Sequence, residues 1–170
     1  RLVMGTTPYL GEIVCIGIKK VLSNGQFDTL TLTGPEPDIL TRWWGIASKH
    51  RGQYVHYNGL GFDVPWIVKR SMKHGIRPTS KDFLDLRRFQ KYPHFDIQQI
   101  LADWDRFNII SLDLACSFTG VPSPKEGEIA AKDVAQAYAD GKIKQIAEYC
   151  LRDVESTHQL YKIATVYTKS

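Results

Sequence analysis

The pattern of apolar and polar positions divides the first third of the chain into short extended segments. Residues 11–22 have a continuous apolar centre, which is typical of a strand buried on both faces. Ser23-Asn24-Gly25 is a turn signal, and residues 27–32 alternate apolar and polar side chains. We therefore predict a β-hairpin, followed by a helix over residues 35–49 that begins at two prolines.

From residue 54 onward the pattern alternates between strands and helices and then becomes helical. Tyr54 to Tyr57 predicts a short strand, which Gly59 and Gly61 interrupt before a helix over residues 64–74. Strands first and helices last indicate a single mixed α/β domain covering residues 1–170. The remaining predicted elements are a strand over Phe83–Leu86, a loop over Pro122–Glu128, and helices over Ile97–Leu101, Ser111–Gly120 (Ser111 as N-cap), residues 130–139 and residues 143–168.

Composition and charge narrow the class of protein without naming a function. The chain has 170 residues, of which 43% are hydrophobic and 24% charged, as in one soluble globular domain. Its net charge of +4, from 22 basic and 18 acidic side chains, is compatible with a polyanionic partner and equally with an ordinary basic surface. No apolar run approaches the ~20 residues of a membrane span, so no membrane partner is expected.

The cysteines indicate a reducing environment. Cys15, Cys116 and Cys150 lie in apolar runs and show no C-x-x-C spacing. We predict that they are reduced core residues, which favours an intracellular, cytoplasmic protein. No charged-then-apolar signal segment is present in the sequence, and the abrupt opening Arg1-Leu2-Val3-Met4 leads us to expect a fragment or a trimmed chain.

Tyr149 and Asp153 are spaced four residues apart in a predicted helix. Side chains at positions i and i+4 share one helix face, so the phenol and the carboxylate project side by side. The ordinary alternative is a core tyrosine followed by a solvated or capping aspartate. Asp153, however, lies in mid-helix beside an apolar stripe, where a carboxylate requires a specific reason.

The segment from Asn58 to Asp63 places a second carboxylate at the junction between a predicted strand and a predicted helix. At such a position an aspartate is most often an N-cap, and Val64-Pro65 fits a helix start. The same position is also where α/β folds expose functional groups. Capping and metal binding therefore compete for the Asp63 carboxylate.

These two segments resemble the second and third motifs of the DnaQ-like 3'-5' exonucleases, in the subclass with tyrosine (DEDDy). The stretch from Ser111 to Tyr161 leads through a Gly-Pro loop into Tyr-Cys-x-x-Asp-Val. It is similar to the C-terminal half of the predicted 3'-5' exonucleases related to the exonuclease domain of family B DNA polymerases. Residues 56–65 match the same group, and the resemblance covers about residues 8–165.

The resemblance implies an α/β, RNase H-like fold with a central mixed β-sheet flanked by α-helices. In that family four carboxylates hold two divalent ions, Mg²⁺ or Mn²⁺, because hard cations need oxygen ligands. Such ions, about 3.5–4 Å apart, activate the attacking water and stabilise the leaving 3' oxygen. The residues so implied are Asp63 and Asp153 as catalytic metal ligands, Tyr149 as the catalytic group that orients water, and Asn58, Phe62, Thr6 and Thr7 as nucleic-acid contacts.

The first motif of that family, Asp-x-Glu on the opening strand, is absent. Anchoring on Thr6-Thr7-Pro8 puts Val3 at the aspartate position and Gly5 at the glutamate position. A Mg²⁺ site with two of its four carboxylates would be weak. Three accounts stay open: natural loss of turnover, deliberate removal of the carboxylates, or residues missing between Met4 and Gly5.

Aromatic and basic side chains supply candidates for nucleic-acid contact. Trp43, Trp44 and Trp66 lie near basic residues, but tryptophans in helices are more often core residues, and for Trp66 we predict core. The basic sets have two interpretations, a phosphate track or a solvated helix face. They are Lys69-Arg70, Lys73-His74, Arg77 and Arg87-Arg88 with Lys91.

We therefore expect a metal-dependent 3'-5' exonuclease domain that hydrolyses phosphodiester bonds at single-stranded 3' ends of DNA. RNA is an open alternative, because nothing in the sequence marks a 2'-hydroxyl contact. Two alternatives from other classes are a catalytically inactive module that binds nucleic acid and a scaffold that binds a protein partner. A polymerase or a repair protein is the expected wider context.

Overall fold

The chain begins with strands and ends with helices. The computed structural model describes residues 7–124 and 133–168, together with the backbone of residues 2–4. No helix in these described parts combines the length and the apolar character needed to cross a bilayer. In chain order the elements are β1 (Leu2–Met4), β2 (Glu12–Val21), β3 (Phe27–Leu32), α1 (Glu36–Ala47), β4 (Tyr54–His56), a π-helical turn (Gly59–Asp63), α2 (Val64–Lys73), β5 (His94–Asp96), α3 (Ile97–Leu101), α4 (Leu112–Thr119), α5 (Val134–Ala139) and α6 (Ile143–Tyr167).

The first sheet has the antiparallel order β1-β2-β3. The β2–β3 pairing runs from Ile16 opposite Leu32 to Val21 opposite Phe27, which confirms the predicted hairpin. Strand β2 is buried on both faces, since Ile13 packs in a cluster with α1 and α2, whereas Val14 packs with α5 and α6. The two-sided burial explains why the sequence of β2 is continuously apolar.

The second sheet is a parallel pair, in which Tyr54 of β4 lies opposite His94 of β5 and His56 opposite Asp96. The prediction of a strand over Phe83–Leu86 is wrong, because this segment is a turn followed by irregular chain. Phe83 is buried as a single anchor, while Leu84 and Leu86 are 41% and 42% exposed. The strand that was missed, β5, is buried at all three positions despite two polar residues, so it shows no alternation.

Helix α6 connects the two sheets. It contacts β2 and β3 on one side and β4 on the other, and it packs against α3, α4 and α5. The described strands thus form two small sheets around a common helix, not the single mixed sheet expected, and the architecture is mixed α/β. The helices predicted from the sequence are present, and Ser111 caps α4 by accepting from the Leu114 N–H. The predicted loop and helix positions within 125–132 lie outside the described residues.

Most of the candidate stacking aromatics belong to the core. Trp43, Trp44 and Trp66 are all buried, and Trp43 and Trp44 make edge contacts with Phe83. Base stacking by these three side chains is therefore excluded. The three cysteines are free thiols and are buried, as predicted.

A buried ion pair joins three elements. Glu36, at the start of α1, accepts from the Ile13 N–H of β2 at 2.7 Å and from the Arg70 guanidinium of α2 at 2.6 Å. His74 Nε2 lies 2.7 Å from the same carboxylate, and Arg70 also donates to the Pro8 carbonyl. Burial alone would raise the pKa of Glu36, but the hydrogen bonds from Arg70, Ile13 and His74 hold it below its ordinary value.

We expect Glu36→Gln to lower the free energy of unfolding by about 3–5 kcal/mol, because it leaves the buried Arg70 guanidinium without its counter-charge. Urea denaturation at pH 7 measures the change. Asp85→Asn is the matched control, since Asp85 pairs with an Arg87 that is 66% exposed, and its unfolding midpoint should match that of the wild type. Equal midpoints for the Glu36→Gln variant and the wild type would contradict the structural role of the buried pair.

Candidate functional site

The chain makes an unusual turn directly after β4. Asn58 adopts a left-handed conformation with φ 59°, and the π-helical turn Gly59–Asp63 follows. A Cβ at position 59 would lie 1.8 Å from Nδ1 of His56, and one at position 61 would lie 2.5 Å from Oδ1 of Asn58. Position 59 therefore requires glycine, because the backbone passes directly against an imidazole ring.

A buried carboxylate holds this turn. Asp96, the last residue of β5, is 0% exposed, and its two carboxylate oxygens accept from the Asn58 N–H and the Leu60 N–H, both at 2.9 Å. Burial raises the pKa of Asp96, and these backbone hydrogen bonds oppose the rise. Because both carboxylate oxygens accept backbone hydrogen bonds from the turn and the side chain is fully buried, we assign Asp96 the role of positioning the turn.

Asp63 ends the turn and begins α2. Its side chain makes no capping hydrogen bond to that helix, so the structure does not support the capping interpretation. The side chain is half-buried. Burial raises the pKa values of Asp96 and Asp153, and the Asp63 charge adds to that rise. Burial lowers the pKa of His56 to about 4, and the Asp63 charge partly opposes this shift. Asp63 therefore faces the same region as these three side chains.

Helix α6 brings the second carboxylate. Its position is fixed by hydrogen bonds to the preceding segment, from Arg152 Nε to the Pro124 carbonyl and from Ser156 Oγ to the Pro122 carbonyl. Asp153 is half-buried. Desolvation by burial, with a further contribution from the Asp63 charge, raises the pKa of Asp153 to about 6. A carboxyl with a raised pKa lies in a place that disfavours negative charge and would gain from a cation.

Tyr149 lies one turn before Asp153 on α6, as the sequence predicts. It is 6% exposed and packs in the cluster that contains Val14 and Cys15 of β2. Burial, with a smaller contribution from Asp153, raises the pKa of Tyr149 to about 12. The phenol therefore stays protonated at neutral pH and can donate a hydrogen bond. The Tyr149 ring is thus part of the hydrophobic core. That its hydroxyl orients the attacking water stays a prediction.

The other predicted nucleic-acid contacts lie in or next to the π-helical turn Gly59–Asp63 and the loop after β1. Phe62 is 36% exposed and its ring lies 5.6 Å from that of Trp66. Thr7 shapes the loop after β1, where its carbonyl accepts from the Leu10 and Gly11 N–H groups. Thr6 lies outside the described residues.

The first-motif positions lie at the edge of the antiparallel sheet. The Val3 backbone pairs with Ile13 of β2, and Gly5 lies outside the described residues. Neither side chain type offers an oxygen ligand. Within residues 7–124 and 133–168, no group of three or more His, Cys, Asp or Glu side chains is arranged to hold a metal ion. The candidate site therefore rests on the pair Asp63 and Asp153.

One of the predicted phosphate contacts is wrong. Arg70 is 2% exposed and is bound to Glu36, so its charge is neutralised and inaccessible to a phosphate. Nζ of the neighbouring Lys69 lies 5.2 Å from the centroid of the Tyr9 ring, and Tyr9 is 72% exposed. The remaining basic candidates stay predictions.

Asp96 is the residue that sequence reasoning missed. The signal that could have found it is His94-Phe95-Asp96 followed by a predicted helix, which has the same strand-to-helix form as the segment before Asp63. Without a prediction of β5, nothing placed its carboxyl end beside that of β4.

Comparison with known proteins agrees with the family resemblance of the sequence. Residues 7–169 match the model of a family described as predicted 3'-5' exonucleases related to the exonuclease domain of PolB. A DNA polymerase of Pyrococcus glycovorans is 24% identical over 127 residues, which are 68% of this chain and 16% of that protein. An uncharacterised protein of Methanocaldococcus jannaschii is 26% identical over 94% of this chain and 89% of its own length. The chain thus spans only 16% of the polymerase.

We expect Asp96→Asn to loosen the turn that carries Asp63, because one of the two amides loses its buried acceptor at a cost of about 1–3 kcal/mol. Amide hydrogen exchange should be faster at Asn58 and Leu60 than in the wild type. Asp105→Asn is the matched control, because Asp105 also accepts two hydrogen bonds but in an exposed turn. Unchanged exchange at Asn58 and Leu60 would show that Asp96 does not hold the turn.

We expect Asp153→Asn to stabilise the metal-free protein at pH 8. The folded-state pKa of Asp153, about 6, is above that of an ordinary aspartate, so ionisation costs stability above pH 6 and the cost disappears as the pH falls toward 4. The gain at pH 8 is on the order of 1–3 kcal/mol, measured by urea denaturation with a chelator. Asp28→Asn, at an exposed position of β3, controls for charge alone. A variant less stable than the wild type at pH 8 would contradict this account.

Proposed function

Because the chain belongs to the family of predicted 3'-5' exonucleases related to the exonuclease domain of PolB, we propose that it is a metal-dependent 3'-5' exonuclease domain. Its substrate is the single-stranded 3' end of DNA, where it hydrolyses the terminal phosphodiester bond. The observation that carries the proposal is the pair of half-buried carboxylates, Asp63 and Asp153, whose mutual repulsion contributes to the raised pKa of Asp153.

In this proposal Asp63 and Asp153 would hold one divalent cation, and the two-ion set of four carboxylates is incomplete because Val3 and Gly5 stand at the other two positions. Asp63 and Asp153 supply hard oxygen ligands of the kind that Mg²⁺ and Mn²⁺ prefer, and a shared cation would relieve the cost of their charges. A divalent ion held by Asp63 and Asp153 would supply activation of the attacking water and charge stabilisation of the leaving oxygen. The second ion of the proposed pair would need ligands that Val3 and Gly5 cannot provide.

The other residues of the site act without proton transfer. Tyr149, protonated at neutral pH because its pKa is about 12, donates a hydrogen bond to the attacking water and does not act as the base. Asn58 and Phe62, on the turn before Asp63, contact the terminal nucleotides, and Thr6 and Thr7 contact them from the loop after β1. These four contacts are carried over from the family resemblance.

The proposed domain is RNase H-like and covers residues 1–170 as one unit. Three antiparallel strands followed by a β4-α2-β5 unit with parallel strands support this fold. The DNA polymerases among the relatives support a polymerase or repair-protein context, and the buried free thiols support an intracellular location. Single-stranded RNA is a second substrate to be tested beside DNA.

The absence of the first motif favours a second candidate function, that of a catalytically inactive binding module. The positions aligned with Asp-x-Glu hold Val3 and Gly5, which is the composition of an exonuclease domain that binds nucleic acid or a protein partner without turnover. The same carboxylates at 63 and 153 would then bind a cation and substrate without efficient hydrolysis.

The test compares four forms of the chain, the wild type and three variants, on a 5'-labelled single-stranded DNA of about 20 nucleotides, with Mn²⁺ or with a chelator. We expect slow, Mn²⁺-dependent shortening from the 3' end that Asp63→Asn and Asp153→Asn each abolish. The double substitution Val3→Asp with Gly5→Glu should raise the rate by at least about a hundredfold, because a single electrostatic group at a reacting centre is typically worth 10²–10³ in rate.

The outcomes separate the two functions. Cleavage only by the Val3→Asp, Gly5→Glu form would make the natural chain an inactive binding module. The proposed site would be wrong if neither the natural chain nor the Val3→Asp, Gly5→Glu form cleaved DNA. It would also be wrong if the Asp63→Asn variant still cleaved it. Calorimetry with Mn²⁺ should also show weaker binding to the Asp153→Asn variant, which tests the cation site independently of turnover.

A further inference from the structure

Two exposed turns outside the candidate site form a surface of aromatic and arginine side chains. We call this the aromatic–arginine surface and define it by Phe89, Trp104, Phe107, Arg88 and Arg106. Phe89 is 71% and Phe107 80% exposed, and the Phe89 ring lies 5.3 Å from that of half-buried Trp104. None of the three rings belongs to a core cluster of the described residues.

Each exposed ring has its own guanidinium. The Arg88 guanidinium carbon lies 5.6 Å from the Phe89 centroid, and that of Arg106 lies 4.7 Å from the Phe107 centroid. In the described part of the chain neither arginine forms an ion pair with a carboxylate. Both charges are therefore available to a ligand, in contrast to that of Arg87, which Asp85 binds at 2.6 Å.

The backbone of this surface is held in an uncommon conformation. Phe89, Asp103 and Trp104 have φ values of 62°, 52° and 61°, a left-handed region that costs a bulky residue on the order of 1–3 kcal/mol. The Asp105 carboxylate fixes the second turn by accepting from the Phe107 N–H at 2.9 Å. Because core packing does not offset this cost for Phe89, the arrangement points to a function for the exposed rings.

The residues that define this surface are distinct from those of the candidate site. Phe89 precedes the amino end of β5, and Trp104 contacts Phe89, whereas Asp96 and the turn that it holds lie at the carboxyl end of the same strand.

We propose that the aromatic–arginine surface binds single-stranded nucleic acid by stacking two bases on Phe89 and Phe107, each base on the ring face opposite to the guanidinium group of Arg88 or Arg106. Exposed aromatic rings with arginine partners are the elements of a sequence-tolerant stacking platform. The choice of nucleic acid as the ligand rests on the proposed function. Asp103 and Asp105 beside Phe107 disfavour phosphate, so stacking supplies the affinity and the salt dependence is shallow.

The test measures fluorescence anisotropy of a labelled oligodeoxythymidylate of about 20 nucleotides in a chelating buffer, where no cleavage occurs. Phe89→Ala and Phe107→Ala should each weaken binding about fivefold to a hundredfold, and the double variant should lose more than either. Phe118→Ala is the matched control, since Phe118 is 86% exposed on α4 and no guanidinium lies over its ring within the described residues; it should change the affinity less than twofold.

Several results would overturn the proposal. These are undetectable binding by the wild type, wild-type affinity in the double variant, or an equal loss in the Phe118→Ala control. The stacking arrangement would also be overturned if the affinity fell with salt concentration as steeply as it does for a protein that binds through phosphate contacts. Equal urea midpoints for all variants exclude unfolding as the cause.

The same variants separate this proposal from the proposed nuclease. Both proposals stand if Asp63→Asn abolishes cleavage while the double phenylalanine variant loses affinity for the 20-nucleotide strand but still cleaves a four-nucleotide substrate at the wild-type rate. If no form of the chain cleaves but the phenylalanine variants lose binding in the chelating buffer, the surface stands and the nuclease does not.

Discussion

The arrangement of the candidate site depends on the buried contact between Glu36 and Arg70. Glu36 accepts from Arg70 and from the Ile13 N–H, so one carboxylate joins α1, α2 and the central strand β2. Arg70 also donates to the Pro8 carbonyl, which ties down the loop that follows β1. A buried pair of this kind contributes little net stability, because desolvation offsets most of the attraction. What it contributes is position: the last turn of α2, a helix that begins directly after Asp63, and the segment after the first motif are held to the same strand.

A second buried carboxylate fixes the finer geometry, and it differs in kind from the first. Asp96 has no cationic partner in the hydrogen bonds that it makes, and it is compensated by the backbone N–H groups of Asn58 and Leu60. These amides would otherwise be unsatisfied where the left-handed Asn58 breaks the strand. The carboxylate thus stabilises an otherwise unfavourable turn, and this turn ends at Asp63. Gly59 completes the arrangement, because only a residue without Cβ passes the His56 ring.

Local patterns in the sequence were sufficient for the hairpin and the helices, because apolar runs, turn residues and caps such as Ser111 act over a few neighbouring residues. They were insufficient where burial depends on distant partners. Phe83 reads as part of a strand, yet it is a single anchor against Trp43 and Trp44, and His94 in β5 is buried beside His56. The candidate carboxylates Asp63 and Asp153 were predictable from their framed segments. Asp96 and the burial of Arg70 were not, since both follow from contacts across 34 or more residues of sequence.

The charges of Asp63 and Asp153 help to distinguish a domain that binds a cation from one that serves only as a scaffold. At neutral pH the Asp153 carboxyl, with a pKa of about 6, is ionised in a partly desolvated place and next to another negative charge, so it costs the folded state free energy. Tyr149, one turn earlier, is packed in the core and contributes stability. A domain that served only as a scaffold would be more stable with a neutral side chain at position 153. The proposed cation site would account for the charge, because a divalent ion bound between the two carboxylates would offset their repulsion, and this applies whether or not the first motif permits turnover.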